Sequence, residues 1–188
     1  METTLLPTDS LSNDTPLNKK SNPPIEIIYQ SNNVRIYGDT SVDKEKISHA
    51  SLKFEPFISF DDFKISTVDN KSKAELNLNS HSKAKMFRTR LNEEYSTESP
   101  NFGGHYTFVS FGCGTACQNS LLIDRQTGII YDSPAASLGY EFRADSRMLL
   151  VNPPDTSGYY DDCNYCKPTI FILDERTKIF SEKAKTKD

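Results

Sequence analysis

The sequence predicts a β-rich α+β fold: an antiparallel β-meander with repeated hairpins and one packed amphipathic helix. Three observations predict it. A hairpin unit recurs with a shift of 50 residues. Short alternating apolar runs, separated by turn residues, fill the chain from residue 25 onward. One stretch, 81–96, carries the 3.6-residue spacing of a helix. The repeat is the most specific of the three. Cys113 and Cys117 precede Ser120-Leu-Leu-Ile-Asp124, and Cys163 and Cys166 precede Ile170-Phe-Ile-Leu-Asp174. The distance from Cys113 to Asp124 is 11 residues, as is that from Cys163 to Asp174. Both aspartates open a similar turn, Asp124-Arg-Gln-Thr-Gly128 against Asp174-Glu-Arg-Thr-Lys178. Self-similarity of this kind marks a duplicated supersecondary unit.

Residues 1–24 are polar and punctuated by Pro7, Pro16, Pro23 and Pro24, which reads as a disordered lead. They lack a basic start and an apolar stretch, so they do not read as a signal peptide. The expectation is a cytosolic chain, or an exported one whose signal precedes Met1. A single β-rich domain is expected over 25–182, with a short tail over 183–188. Ile25–Tyr29 and Val34–Tyr37 alternate around Gln30-Ser-Asn-Asn33 and predict a hairpin. Residues 38–51 are charged and carry no clear pattern. Pro56 restricts Leu52–Phe60 to an edge or an extended crossing, and Phe63–Val68 is a further short alternating run.

Over 81–96, Ala84, Phe87, Leu91 and Tyr95 form one apolar stripe, with Asn79 or Ser80 placed to cap it. Lys83, Lys85, Arg88 and Arg90 lie off that stripe, as a solvated face. From residue 102 the pattern is a meander. Strands are expected at Tyr106–Phe111, Ser120–Asp124, Ile129–Tyr131, Tyr140–Arg143, Met148–Val151, Thr169–Leu173 and Lys178–Ser181. Gly128 supplies the positive φ of a bulged hairpin turn. Lys178 stands in its place in the second copy, which predicts a looser turn or a strained left-handed residue.

The chain has 188 residues, a net charge of -4 and no tryptophan, with nine tyrosines and eleven phenylalanines for a core. An acidic balance argues against a nucleic-acid binder. No run approaches the ~20 apolar residues that cross a membrane as a helix. Gly103-Gly104 and Gly112-Cys-Gly114 lack the following Lys-Ser/Thr of a phosphate loop, and read as sites of close backbone approach.

The segment Asn101-Phe-Gly-Gly-His-Tyr106, then Gly112-Cys-Gly-Thr-Ala-Cys117, then Asp124-Arg-Gln-Thr-Gly128, resembles a group of uncharacterised bacterial exported proteins. Their pattern runs Asn-Phe-Ala-Gly-His/Lys-Tyr, Gly-Cys-Gly-Thr/Ser-x-Cys and Asp-x-x-Thr-Gly. The resemblance covers about residues 82–180. Here Gly103 replaces the usual Ala, Phe111 stands where Trp is common, and the late cysteine is a pair. The resemblance implies export and a β-rich fold, and no chemistry.

With export implied and an even count, the four cysteines read first as disulfides. Equivalent positions in two neighbouring hairpins predict at least one bond from Cys113 or Cys117 to Cys163 or Cys166. A zinc site built from Cys113, Cys117, Cys163 and Cys166 is the alternative, as a cytosolic module. Free thiols are the third reading. Catalysis would use His105 with Cys113 or Asp124, as a small hydrolase or thiol enzyme. Asp155-Thr-Ser-Gly-Tyr-Tyr-Asp-Asp162 lacks the spacing of a calcium loop. It reads as a solvated loop, with Tyr159, Tyr160 and Asp161 as the candidate partner contact. The expected function is a non-catalytic periplasmic or extracellular protein that binds another protein or an envelope component, as an inhibitor or immunity-type protein does. No cofactor is expected apart from that alternative zinc.

Overall fold

The computed structural model describes residues 25–39 and 46–185. The expected lead, 1–24, and residues 186–188 of the expected tail lie outside the described residues. The fold is β-rich and antiparallel with one α-helix among the described residues, as the pattern predicts. Ile25–Gln30 (β1) and Val34–Asp39 (β2) form the expected hairpin, with a bulge between Ile27 and Tyr29. Ile47–Lys53 (β3) pairs with β2 and was not predicted. The chain then crosses as an extended segment to a 3-10 turn at Phe60–Phe63. Phe63–Val68 forms no strand; its backbone makes a single bridge, Lys64 to Ser146.

The helix is shorter than expected, Arg88–Ser96 (α1). Residues 82–87 are turns, in which Ala84 N donates to His81 O at 3.1 Å and Met86 N to Lys83 O at 3.1 Å. Three-residue closure of this kind is tighter than an α-helix. The expected Ser80 cap is committed elsewhere: its hydroxyl donates to Asn77 O and accepts from Ile130 N. The stripe itself holds. Ala84, Leu91 and Tyr95 are buried, and Phe87 stacks on Phe111 with ring centroids 3.8 Å apart. Leu91→Ala should therefore cost about 2–4 kcal/mol, as large-to-small core changes do. Arg88→Ala, on the exposed side, should stay within about 0.5 kcal/mol. Urea unfolding of the two variants checks this; equal losses would contradict the packing.

Tyr106–Gly114 (β4), Cys117–Asp124 (β5) and Ile130–Asp132 (β6) form a three-stranded sheet in that order. Phe108 opposes Leu122, and Val109 opposes Leu121. Strand side chains alternate between faces. One face thus sends Val109, Leu121 and Ile123 against Ala84, Leu91 and Tyr95. The other sends Phe108 and Leu122 into a core shared with Phe102, Leu149, Val151 and Leu173. Those last three come from a second sheet. It comprises Tyr140–Phe142 (β7), Met148–Val151 (β8), Thr169–Asp174 (β10) and Ile179–Lys183 (β11), with Tyr159–Asp161 (β9) lying elsewhere. Its order is β7-β8-β10-β11. Its opposite face, with Met148, Leu150, Ile170 and Ile172, is covered by Phe54, Ile58, Phe60 and Phe63. The body is thus a two-sheet sandwich, with α1 on one outer face and the 54–63 crossing on the other.

The repeat is structural, but its copies fall in different sheets: β5–β6 in one and β10–β11 in the other. Their turns match closely. Gly128 N donates to Asp124 O at 2.8 Å, and Lys178 N to Asp174 O at 2.8 Å. Asp124 Oδ1 accepts from Gln126 N, and Asp174 Oδ1 from Arg176 N and Thr177 N. The Thr177 and Arg176 amides hold the Asp174 carboxyl below the usual carboxylate range. The second turn is therefore as tight as the first, with Lys178 itself left-handed at φ +60° against +74° for Gly128.

The expected bond between copies is corrected. The disulfides are Cys113–Cys117 and Cys163–Cys166, with Cα separations of 5.1 and 5.2 Å. Cys113 lies in an irregularity between the Gly112–Gln118 and Gly114–Cys117 pairs, so the β4–β5 tip itself sets it beside Cys117. Cys163 and Cys166 close a tight turn in which Cys166 N donates to Cys163 O. Placement of the copies in separate sheets leaves each cysteine its local neighbour as partner.

β9 pairs with β3, and β1, β2, β3 and β9 form a third sheet in that order. It joins the body through Phe54, which directly follows β3 and packs against the cluster of Phe60, Met148, Leu150, Ile170 and Ile172.

Candidate functional site

The predicted residues lie in three places. His105 immediately precedes β4 and Asp124 ends β5, so antiparallel pairing brings them together. His105 Nε2 lies 3.7 Å from Asp124 Oδ1, beyond hydrogen-bond length, and is buried without a partner. The ring rests against Tyr106 with centroids 4.0 Å apart. Cys113 is not part of this group. It is bonded to Cys117 near the other end of β4, roughly 26 Å away at ~3.3 Å per residue. A histidine facing an aspartate can orient a base, yet no serine, threonine or cysteine side chain hydrogen-bonds to His105 among the described residues. Beside it, the Tyr106 hydroxyl donates to Glu175 Oε2 at 2.6 Å, and the Lys178 ammonium donates to both. Burial, reinforced by the Glu175 acceptor, pushes the Tyr106 hydroxyl well above the usual phenol range. This hydroxyl is a fixed donor and not a base. The cluster ties the second hairpin turn to the start of β4. It borders an open cleft of about 570 Å³ lined by Tyr131, Phe171, Phe180 and Lys178.

All four sulfurs are bonded. Bonded sulfurs do not ligate zinc, so the zinc alternative refers to the reduced chain. No group of three or more His, Cys, Asp or Glu side chains with metal-binding placement occurs among the described residues.

Tyr159, Tyr160 and Asp161 form β9 rather than an open loop. Tyr159 is buried: the Arg35 guanidinium lies 3.7 Å over its ring, and its hydroxyl reaches Ser31 O and Asn32 O at 3.3 Å. Asp161 Oδ1 accepts from Ser51 Oγ at 3.0 Å. The preceding turn explains the register. Asp155 Oδ1 accepts from the Tyr159 and Ser157 amides, which holds its carboxyl below the usual range. Tyr160 lies half-buried on the opposite face.

That face is the feature the sequence concealed. The register sets Tyr29 beside Ile36, Ile36 beside Ala50, Val34 beside Leu52, and Leu52 beside Tyr160. These six side chains share one side of the third sheet, and none belongs to the three core clusters. At its margin, β1 is an edge strand with all six residues exposed, among them Ile25, Ile27, Ile28 and Tyr29. Ile47 at the start of β3 is 63% exposed. Glu26 is the single charge on β1 and no proline interrupts it. An edge strand ordinarily carries lysine, proline or a cover against pairing with other chains. β1 has neither lysine nor proline within its six residues and no covering strand among the described residues; the bulge at Ile28 is its one edge-blunting device.

No helix among the described residues is long and apolar enough to cross a membrane. The two disulfides are compatible with an oxidising, exported location. No family model matches the chain, and no curated protein or solved structure does so either.

Proposed function

We propose that this is a non-catalytic periplasmic or extracellular binding protein that docks another protein or an envelope component, as inhibitor and immunity-type proteins do. The observation that carries the reading is the third sheet: an apolar face outside the core, ending in β1, which is an edge strand among the described residues. An extended segment of a partner adds to such an edge through main-chain hydrogen bonds, and apolar side chains supply the contact area. Exposed apolar patches of this kind mark interaction surfaces. The docking element is therefore β1 with Ile47, in place of Tyr159 and Asp161, which are used within the sheet.

Ile27→Lys tests the reading. Ile27 is 45% exposed and in no core cluster, so the fold should be kept within about 0.5 kcal/mol. A lysine on an edge strand blocks strand addition. Immobilised wild-type protein should retain at least one component from an envelope extract of the source organism, and the variant should lose it. Identical retention by the two proteins would overturn the proposal.

A further inference from the structure

A separate cavity lies at the junction of the third sheet with the body, where Phe54 and Gly158 line it. It measures about 340 Å³ and sits between the 54–61 crossing and the β7–β8 edge. Phe54, Ile58, Phe60, Met148 and Leu150 give it an apolar floor. We infer that this cavity binds a small amphipathic cation, an apolar body carrying one ammonium group.

Sheet register supplies the first argument. Ile170 opposes Leu150, and Leu150 opposes Glu141, so the three form one row across β10, β8 and β7. Ile170 and Leu150 are buried in the cluster with Phe60 and Met148. The row therefore runs from core outward and ends on a carboxylate at the cavity wall. Glu141 is exposed, so the row ends on a solvated charge, placed where the polar end of a ligand seated on Leu150 would meet it.

The second argument is charge accounting. The cavity is lined by three acids, Asp61, Glu141 and Asp155, and one base, Arg143. Arg143 lies 3.6 Å from Asp61 and stacks over Phe60 at 4.8 Å. Asp155 faces Arg35 at 3.9 Å, and its other oxygen takes the Ser157 and Tyr159 amides. Glu141 has no side-chain partner among the described residues. A neutral apolar ligand would cover this carboxylate and strip its water with no compensation. An anion would be repelled. A calcium ion needs roughly six to eight oxygen ligands and zinc about four N, S or O ligands, and one free carboxylate supplies neither set. An ammonium on an apolar body satisfies both the floor and Glu141, in a concave, mostly apolar site with few polar groups.

The test is a titration of the full chain with 2-phenylethylammonium, followed by NMR of the Met148 and Leu150 methyl groups. Saturable binding is expected, with a Kd on the order of 100 µM for so small a ligand. The neutral isostere 2-phenylethanol should bind at least about tenfold more weakly, since it lacks the charge-assisted bond. Glu141→Gln should bring the two ligands to equal affinity. Glu141 is exposed, so this variant should fold as the wild type does. A capped lysine peptide should bind no better than the free amine. Four results would each overturn the inference: no saturation by about 10 mM, equal binding of amine and alcohol to the wild type, an unchanged preference in Glu141→Gln, or tighter binding of the peptide.

Discussion

Gly128→Ala should destabilise the protein by about 3 kcal/mol or more, and urea unfolding will read it. Two causes act together. Gly128 has φ +74°, a conformation that costs a side-chain-bearing residue about 1 kcal/mol or more. A Cβ there would also sit 1.9 Å from Glu75 O, inside a backbone that cannot step aside easily. The covering segment is pinned on both sides of the clash, since Ala74 N donates to Arg125 O at 2.7 Å and Asn77 N to Gly128 O at 3.0 Å. Relief would require parting that segment from the first hairpin, and overpacking of this kind costs about 1–3 kcal/mol by itself. The second copy provides the internal control. Lys178 is already left-handed, and its side chain points to Tyr106 and Glu175. Lys178→Ala should cost only about 1 kcal/mol, for the lost hydrogen bonds. Equal losses at the two positions would contradict the account of why one copy has glycine and the other lysine.

Arg125→Met should cost about 2–3 kcal/mol, because it removes the donor to a buried hydroxyl and to three loop carbonyls. Arg125 is 1% exposed. Its guanidinium donates to Glu98 O at 2.7 Å, Thr97 O at 3.0 Å, Ser99 O at 3.5 Å and Thr107 Oγ1 at 3.1 Å, and it lies 5.3 Å over the Tyr95 ring. Methionine fills the volume, leaves the Thr107 hydroxyl buried without this donor and frees the 97–99 carbonyls from their shared anchor, and an unpaired buried group costs more than its bond contributes. The loss should appear as a lower urea midpoint, with residues 97–99 becoming sensitive to protease. A change below about 1 kcal/mol would mean that water replaces the guanidinium and that the loop is not held by it.

These two positions also show where sequence reasoning reached and where it stopped. Turn chemistry is local, so Asp124 with Gly128 and Asp174 with Thr177 were readable as paired hairpin turns. Alternation made the sandwich strands legible, and spacing exposed the Leu91 and Tyr95 stripe. Arg125 looks like an exposed turn residue, because its burial depends on segments 71–77 and 96–99 folding over it from far upstream. β3 was hidden for a similar reason: Ile47-Ser-His-Ala-Ser-Leu-Lys53 has weak alternation, and pairing with β2 and β9 defines it. β9 has three residues, and the Asp155 turn before it reads as the start of a loop. The cysteines misled through the repeat itself. Equivalence in sequence suggested contact between copies, whereas the copies entered different sheets and each pair closed locally. The edge position of β1 became visible only once the strand order showed that no other strand among the described residues pairs beyond it.

The most direct test of docking through β1 is site-specific photo-cross-linking. A photoreactive residue replaces Ile27 in one variant and Met86, an exposed apolar residue on the helix side, in another. Both are exposed to envelope extract of the source organism and irradiated. The account predicts a discrete adduct from position 27 that is absent from position 86 and is suppressed by excess unlabelled wild-type protein. Adducts of equal yield from both positions, or none from position 27, would contradict it.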